Sequence, residues 1–362
     1  MITENSWVEI DLSRIVNNYR TIASRVCPGK RVMAVVKANA YGHGDAEVAR
    51  ALEAAGCGSF AVANFAEGKR LRESGVLGDI LSLGYSPREI IPEVIRYRLV
   101  QTLISEEHAA AVARPDLRTV FAVDTGMNRI GIDGENAADC ERIIREYAKK
   151  TKLEGIFTHL CVADTPDEDA FTRRQSELFY RLADRLSDLG LPRVHCLNSA
   201  GIIRFTGSDR GSVVRLGIAL YGLSPDPAVA LPDGILPALE WKTRVSMVKT
   251  VLPGETVGYG RAYTAKEPRR IATLTAGYGD GYSRKMSCGG YVIINGKRAP
   301  LCGRVCMDQM TVDVTGIDGV GPMTEATLIG EGITADDMAA LTGTISYESL
   351  CAIGVRVKRI YK

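Results

Sequence analysis

The chain has 362 residues, of which 46% are hydrophobic, and it carries a formal net charge of +2. A chain of this length and composition supports a full hydrophobic core, which excludes a disordered protein. The small net charge gives no indication of nucleic acid or an anionic membrane as a partner, and no apolar run approaches the roughly 20 residues that span a bilayer.

The cysteines and the first residues predict the compartment. The 9 cysteines are scattered and show no paired C-x-x-C spacing. We therefore expect reduced thiols in a reducing compartment, with no metal site. Residues 1–5 lack the basic and apolar regions of a signal peptide. Together these features predict a soluble cytoplasmic protein.

Roughly the first 220 residues repeat a unit of one strand followed by one helix, about eight times. Predicted strands cover 7–11, 30–38, 60–63, 80–83, 101–104, 118–123, 153–158, 194–197 and 213–216. Predicted helices cover 12–26, 47–55, 67–74, 90–97, 105–113, 137–149 and 169–189. This alternation predicts an α/β fold that begins with a (β/α)8 TIM-like barrel.

The pattern changes after Gly222, where a Pro-rich linker covers 224–234. Short, Gly-punctuated strands are predicted at 244–248, 271–274, 291–294, 310–314 and 326–329, with helices at 334–341 and 346–352. The sequence therefore predicts a barrel domain of residues 11–228 and a mostly-β C-terminal domain of residues 229–362 together with 1–10.

Several polar residues lie at the C-terminal ends of predicted barrel strands or in the loops that follow them. They are Lys37, Arg129, His159, Asn198, Ser199 and Arg215. Because the chemistry of such barrels lies at the C-terminal ends of the strands, we expect these residues to share one pocket.

Lys37 lies in the segment Val-Val-Lys-Ala-Asn-Ala-Tyr-Gly-His-Gly, residues 35–44. Burial at the end of an apolar strand favours the neutral, nucleophilic amine, although a lysine at a strand end can also extend its charge into solvent. The segment resembles the pyridoxal-phosphate attachment segment of alanine racemases. The resemblance implies that Lys37 holds pyridoxal 5′-phosphate covalently and that Tyr41 contacts its phosphate.

The loop Asp124–Gly131 is also similar to a segment of this family, although an arginine there could simply be a surface residue. The resemblance implies that Arg129 contacts the phenolic oxygen of the cofactor and the substrate. Many family members carry a carbamylated lysine two residues before the aspartate, where this chain has Ala122. Arg129 must therefore be held by another group, such as an anion or an acidic residue.

The remaining barrel motifs have structural alternatives. His159 could be a polar residue at a strand end that only forms hydrogen bonds within the fold, and Ser199 could cap a helix. The resemblance implies instead that His159 and His195 form a hydrogen-bonded chain around Arg215. It also implies that Asn198 and Ser199 lie at the cofactor, with Ser199 on its phosphate.

Arg215 begins the segment Arg-Leu-Gly-Ile-Ala-Leu-Tyr-Gly, in which Gly217 and Ile218 would offer backbone N–H groups to the phosphate. The resemblance implies that Arg215 lies beside the pyridine nitrogen of the cofactor. An arginine there disfavours protonation of that nitrogen, so the ring delocalises a carbanion less. Return of the proton to Cα is then favoured over transamination, as a racemase requires.

Three C-terminal motifs match the second domain of the same family. They are Gly258-Tyr259-Gly260, Gly277-Tyr278-Gly279-Asp280 and Gly303-Arg304-Val305-Cys306-Met307. The resemblance implies that Tyr259 is the second catalytic base, that the Met307 backbone and Tyr278 lie near the substrate carboxylate, and that Tyr347 contacts the phosphate.

Racemisation requires two bases on opposite faces of a planar carbon. The resemblance therefore implies an alanine racemase that supplies D-alanine for peptidoglycan, in which Lys37 removes the proton of the D-enantiomer and Tyr259 that of the L-enantiomer. In this family the tyrosine comes from the partner of a head-to-tail homodimer.

Other functions stay open at the level of the sequence. A serine or serine/alanine racemase of the vancomycin-resistance type is favoured by Ala122 and disfavoured by Tyr347, where such enzymes tend to carry a smaller polar residue. Those enzymes also carry an N-terminal membrane portion, so this chain could be part of a longer protein. A pyridoxal-phosphate carrier protein would lack the second domain, and a basic-amino-acid decarboxylase would need a cysteine-bearing acidic motif that the sequence does not contain.

Overall fold

The computed structural model describes residues 4–287 and 289–362. The expectations for residues 1–3 and for the thiol of Cys288 lie outside this part of the chain. The structure contains two compact units. The barrel unit comprises Ser13–Ala40 and Gly44–Pro237, and the β unit comprises the chain up to Leu12, Tyr41–His43 and Ala238–Lys362.

The barrel unit contains a nearly closed sheet of eight parallel strands, which confirms the predicted barrel. After β1 (Ser6–Ile10), which belongs to the β unit, the strands are β2 (Arg31–Val35), β3 (Ser59–Val62), β4 (Asp79–Ser82), β5 (Val100–Leu103), β6 (Arg118–Asp124), β7 (Ile132–Asp133), β8 (Lys152–Phe157), β9 (Arg193–His195) and β10 (Val213–Leu216). The sheet order is β10-β2-β3-β4-β5-β6-β8-β9, and the short strand β7 pairs only with β6.

Helices follow the strands along the chain. They are α1 (Leu12–Thr21), α2 (Asp45–Ala54), α3 (Phe65–Glu73), α4 (Ile91–Arg96), α5 (Glu106–Val112), α6 (Ala137–Ala148), α7 (Asp169–Arg185) and α8 (Ser199–Phe205). The strand residues Phe60, Ile80 and Phe121 are fully buried, as expected for parallel strands that helices cover on the outside.

The sheet closes between β9 and β10. Ser212 N–H donates to the carbonyl of Val194 at 2.9 Å, and Arg215 N–H donates to the carbonyl of Leu197 at 3.0 Å. On its other side β10 pairs with β2, with Arg215 opposite Met33. This closure places the end of the strand that precedes Lys37 beside the strand that carries Arg215.

A network of ion pairs joins the opposite, N-terminal parts of the strands. Arg193 Nη2 lies 2.5 Å from Asp79 Oδ2, and Arg193 Nε lies 3.0 Å from Glu154 Oε2. Arg118 contacts the same two carboxylates at 2.7 and 2.5 Å. Because β4 and β9 are not neighbours in the sheet, the network connects strands that backbone hydrogen bonds do not, and the paired charges offset one another's desolvation.

The β unit is built around one long strand, β11 (Leu239–Val251), which pairs with β1, β14 and β18. The other strands are β12 (Thr256–Val257), β13 (Tyr263–Thr264), β14 (Arg269–Leu274), β15 (Tyr291–Ile294), β16 (Lys297–Pro300), β17 (Met310–Asp313), β18 (Glu325–Ile329) and β19 (Lys358–Tyr361). Its helices are α9 (Ala335–Thr342) and α10 (Ser346–Cys351). The mostly-β C-terminal fold is therefore confirmed, although the sequence did not predict β12, β13, β16 and β19.

Three further findings concern residues 4–287 and 289–362. The eight cysteines in this part of the chain are free thiols. No helix there is both long and apolar enough to cross a membrane, and no group of three side chains is arranged to hold a metal ion.

Candidate active site

The predicted strand at 30–38 is wrong at its end, because β2 stops at Val35 and the chain then forms a left-handed turn. Ala38, Asn39, Ala40 and Tyr41 have φ angles of 52°, 54°, 52° and 51°. Left-handed backbone costs about 1–2 kcal/mol for each such residue. We call Lys37–Tyr41 the lysine turn. It persists only because the surrounding structure stabilises it.

Hydrogen bonds fix the lysine turn at several points. Ala40 N–H donates to the carbonyl of Val36 at 2.9 Å, and Gly44 N–H donates to the carbonyl of Asn39 at 2.8 Å. Ala38 N–H donates to Glu67 Oε1 at 2.8 Å. Lys37 itself is half-buried at the start of the turn.

Arg215 is the most enclosed charged group of the site, with 3% of its surface exposed. Its guanidinium donates to the carbonyls of Thr158, His195 and Cys196 at 2.8, 3.2 and 3.1 Å. It also contacts Nδ1 of His195 at 2.6 Å and Nδ1 of His159 at 3.2 Å. Burial lowers the pKa of Arg215 to about 10, so the guanidinium keeps its charge near neutral pH.

His159 and His195 are neutral acceptors in this network. Burial, together with the charge of Arg215, lowers the pKa of both imidazoles well below the usual value. Because a guanidinium only donates, each Nδ1 accepts and the ring proton lies on Nε2. The charges of Arg129 and Lys37 also lower the pKa of His159. His159 therefore contacts Arg215 and lines the same cavity as Arg129.

Arg129 is an exposed residue of the loop after β6. Asp124 Oδ1 fixes this loop by accepting from the N–H groups of Gly126 and Asn128 at 2.9 and 3.1 Å. In the described part of the chain, no carboxylate forms an ion pair with Arg129. A cavity of about 20 Å³ is lined by Ala122, Arg129 and His159, among others, and it has room for about one water-sized group.

A set of backbone N–H groups follows β10. Ser199 Oγ accepts from Gly217 N–H at 3.0 Å and from Ala219 N–H at 3.4 Å. The N–H of Ile218, a residue with 1% of its surface exposed, has no acceptor within residues 4–287 and 289–362. A buried N–H group without a partner is costly, so this segment favours an anionic ligand.

The expected helix cap is wrong by one residue. Asn198, rather than Ser199, caps α8, since its side chain accepts from Gly201 N–H at 3.0 Å. The Asn198 amide also donates to the carbonyl of Leu160 at 3.1 Å. The Ser199 hydroxyl is thereby left to face the N–H groups after β10.

In the β unit, Tyr41 and Tyr347 lie side by side, with their ring centroids 6.0 Å apart. A Cβ atom at Gly42 would lie 2.3 Å from the carbonyl oxygen of Leu350. Only glycine fits at this point, so the two phenols that the sequence assigned to the phosphate are held together.

The three predicted substrate-side residues are exposed in the single chain. Tyr259, Tyr278 and Met307 expose 70%, 43% and 53% of their surface. Tyr259 lies in a short turn in which Gly258, Gly260 and Arg261 have positive φ angles. Exposed large side chains of this kind are typical of surfaces that bind a partner.

The segments of Tyr278 and Met307 are joined by their backbones. Tyr278 N–H donates to the carbonyl of Cys306 at 3.0 Å, and Gly279 N–H donates to that of Met307 at 2.8 Å. Arg356 connects the same segments by contacting Asp280 at 2.7 Å and Asp308 at 2.8 Å. The N–H of Met307 has no acceptor among the described residues, so it is available to a ligand carboxylate.

Sequence reasoning missed three contributors to this arrangement. Glu67 holds the lysine turn, Ala219 adds an N–H group beside Gly217, and Arg356 joins the two substrate-side segments. Only Glu67 carried a local signal, because an acidic residue three positions after Asn64 indicates a helix N-terminus.

Two family models match the chain. The model described as alanine racemase, N-terminal domain, matches residues 10–225, and that of the C-terminal domain matches residues 238–361. A curated alanine racemase from Carboxydothermus hydrogenoformans is 42% identical over 98% of this chain and 99% of that protein. An amino-acid racemase from Enterococcus faecalis is 37% identical over 99% of this chain but only 52% of that protein.

Solved structures are similar over the full length. An alanine racemase from Clostridium difficile 630 has a TM-score of 0.94 and 34% identity, covering 100% of this chain and 97% of the other. The alanine racemase from Bacillus anthracis with bound L-Ala-P has a TM-score of 0.92 at 34% identity, covering 100% of this chain and 96% of the other.

The neutral histidines predict an unusual loss of stability in mild acid. Above the unfolded-state pKa of about 6.5, both the folded and the unfolded states are neutral at these positions. As the pH falls from 6.5 towards about 5, the unfolded chain binds protons that buried His195 cannot, so the free energy of unfolding falls by up to about 1.4 kcal/mol per pH unit.

Urea unfolding at a series of pH values measures this effect. In His195→Asn the side-chain oxygen can still accept from Arg215, but the residue does not titrate. We expect a shallower pH dependence in this variant than in the wild-type protein. Identical slopes in the two proteins would contradict the neutral state of His195.

Proposed function

Because the chain belongs to the alanine racemase family, we propose that it interconverts L-alanine and D-alanine with pyridoxal 5′-phosphate and two catalytic bases. The family depends on this cofactor. The observation that carries the proposal is the buried Arg215 with its two neutral histidine neighbours, in the same neighbourhood as Lys37.

The donor groups of this chain fit the cofactor. A phosphate needs several donors, and the N–H of Ile218 and the hydroxyl of Ser199 would supply two of them. The N–H of Gly217, which donates to Ser199 Oγ in the single chain, would turn to the phosphate as a third. By the resemblance to the family, the neighbouring phenols of Tyr41 and Tyr347 would also contact the phosphate. Lys37 would hold the cofactor covalently, Asn198 would keep Ser199 in place, and Arg129 would contact the phenolic oxygen. When bound, the cofactor withdraws electrons from Cα of the amino acid, which acidifies its proton.

Arg215 would set the direction of the chemistry. Its charge is fixed near neutral pH, and neither His159 nor His195 can accept a proton readily in its place. A fixed cation disfavours a second positive charge on the pyridine nitrogen beside it. Arg215 would thereby limit how far a ring held beside it withdraws electrons, which would favour return of the proton to Cα over transamination.

Lys37 and Tyr259 would move the proton on opposite faces of Cα. The positive charges of Arg129 and Arg215 disfavour a third cation, which favours the neutral Lys37 amine as a base. Lys37 would take the proton of D-alanine and Tyr259 that of L-alanine. The free N–H of Met307, with Arg129 and Tyr278, would orient the substrate carboxylate.

A homodimer would complete the site. The exposed Tyr259, Tyr278 and Met307 form a surface that a single chain leaves open, and we propose that a second copy of the chain covers it in a head-to-tail dimer. Each copy would then supply Tyr259 to the Lys37 site of its partner.

Serine/alanine racemisation is the second candidate. Ala122 beside the cavity at Arg129 favours it. The pair of Tyr41 and Tyr347 favours alanine, because a phenol at Tyr347 leaves less room than a small polar residue. A carrier protein without turnover is disfavoured by the complete β unit.

The purified protein loaded with pyridoxal phosphate should convert either enantiomer of alanine to the racemate. In deuterated water, the product enantiomer should carry deuterium at Cα from the first turnover. We expect kcat/KM for L-alanine to exceed that for L-serine by about tenfold or more. An equal or higher value for L-serine would favour the second candidate, and the absence of exchange at Cα would contradict both.

The shared site predicts complementation between two inactive variants. Lys37→Ala and Tyr259→Phe should each lose activity, whereas Tyr291→Phe, a tyrosine elsewhere in the β unit, should remain active. When the two inactive variants are unfolded and refolded together, each mixed dimer contains one complete site, so about a quarter of wild-type activity should return. A mixture that stays inactive would place both bases in one chain.

A further inference from the structure

We propose that Glu67 is a positioning residue for Lys37, because its carboxylate holds the backbone of the lysine turn in the left-handed conformation. The inference rests on the proposed function, in which Lys37 binds the cofactor and moves a proton. It adds a residue from a neighbouring element that does not itself contact the reacting atoms.

The Glu67 carboxylate bridges two adjacent barrel strands at their C-terminal ends. Its Oε1 accepts from Ala38 N–H at 2.8 Å, and its Oε2 accepts from Ala63 N–H at 2.7 Å. Ala38 directly follows Lys37, and Ala63 directly follows β3. The start of the lysine turn is therefore tied to the end of the neighbouring strand by one side chain.

This carboxylate is itself held in place by the start of α3. Asn64 caps this helix by accepting from Glu67 N–H at 3.1 Å. In a capping box the glutamate would accept from the N–H of the cap residue. Here it accepts from Ala63, one residue earlier, and its second oxygen is thereby directed to Ala38.

The contact fixes the peptide groups on both sides of Lys37. Val36 N–H donates to the carbonyl of Ala61 at 2.9 Å, which continues the sheet up to the lysine. Ala38 N–H is held by Glu67, and Ala40 N–H by Val36. The direction of the Lys37 side chain then follows from the backbone, because its Cα lies between two hydrogen-bonded peptide groups.

Only a carboxylate satisfies both N–H groups. It offers two acceptor oxygens and no donor. A glutamine of the same shape would turn its NH2 group towards one of the two N–H groups, so one hydrogen bond would be lost. Without that restraint the turn can relax towards right-handed backbone, and the Lys37 amine would move.

The test compares Glu67→Gln with Glu73→Gln. Glu73 ends the same helix, and its carboxylate accepts from Tyr97 Oη at 3.0 Å on the surface. For Glu67→Gln we expect weaker binding of pyridoxal phosphate to the apoprotein and a fall in kcat of about tenfold or more. Glu73→Gln should match the wild-type protein in both measurements.

Isotope effects show whether Lys37 is the group affected. Because the two enantiomers are equally stable, kcat/KM must fall equally in both directions. Suppose that proton transfer by Lys37 becomes rate-limiting in Glu67→Gln. The kinetic isotope effect of α-deuterium on kcat/KM should then rise for D-alanine, whose deuteron Lys37 removes, and fall for L-alanine, whose deuteron Tyr259 removes. Unchanged isotope effects, with an unchanged kcat per bound cofactor, would overturn the proposal even if thermal stability fell.

Amide exchange of the wild-type protein provides a test that no substitution can disturb. Exchange of Ala38 N–H should be as slow as that of the barrel strands, and exchange as fast as in an open loop would overturn the proposal. Borohydride reduction separates this failure from failure of the proposed function. Cofactor found on a lysine other than Lys37 would overturn both, whereas cofactor on Lys37 with an unaffected Glu67→Gln variant would overturn only the role of Glu67.

Discussion

The site depends on a buried positive charge that its neighbours cannot share. Arg215 donates to three backbone carbonyls and two imidazoles, and no acidic side chain forms an ion pair with it in the described part of the chain. Burial lowers the pKa of Arg215 to about 10 and lowers the pKa of both histidines well below the usual value. The proton therefore stays on the guanidinium, and the electrostatic environment around it is fixed by the fold.

The barrel provides this constraint because backbone hydrogen bonds join the segments of β9 and β10, and β10 pairs with β2 on its other side. One side of β10 receives the histidine of β9, and the other side neighbours the strand that leads to Lys37. The strained lysine turn follows that strand. Backbone strain near a reactive group persists where surrounding hydrogen bonds over-determine the conformation, and Glu67 supplies one of those bonds from the next unit of the barrel.

The sequence predicted the barrel, because strand–helix alternation is a local pattern, and it placed Arg129, His159 and Arg215 at strand ends, where the structure brings them together. It did not predict the left-handed turn, since only Asn39 among its residues tolerates that backbone well. It named Ser199 as the helix cap, one residue too late, because asparagine and serine both cap helices and the local sequence does not separate them. The bridge from Glu67 to Ala38 could not be predicted, because it joins residues that only the parallel sheet brings together. The catalytic roles remain proposals that rest on the family resemblance.

The most direct test of the central claim is 15N NMR of the imidazole nitrogens in protein labelled at its 4 histidines. His159 and His195, assigned by substitution to glutamine, should remain neutral from about pH 5.5 to 8, with the proton on Nε2 and an accepting Nδ1. If either ring became an imidazolium within this range, Arg215 would not be the only positive charge of this network, and the account would be contradicted.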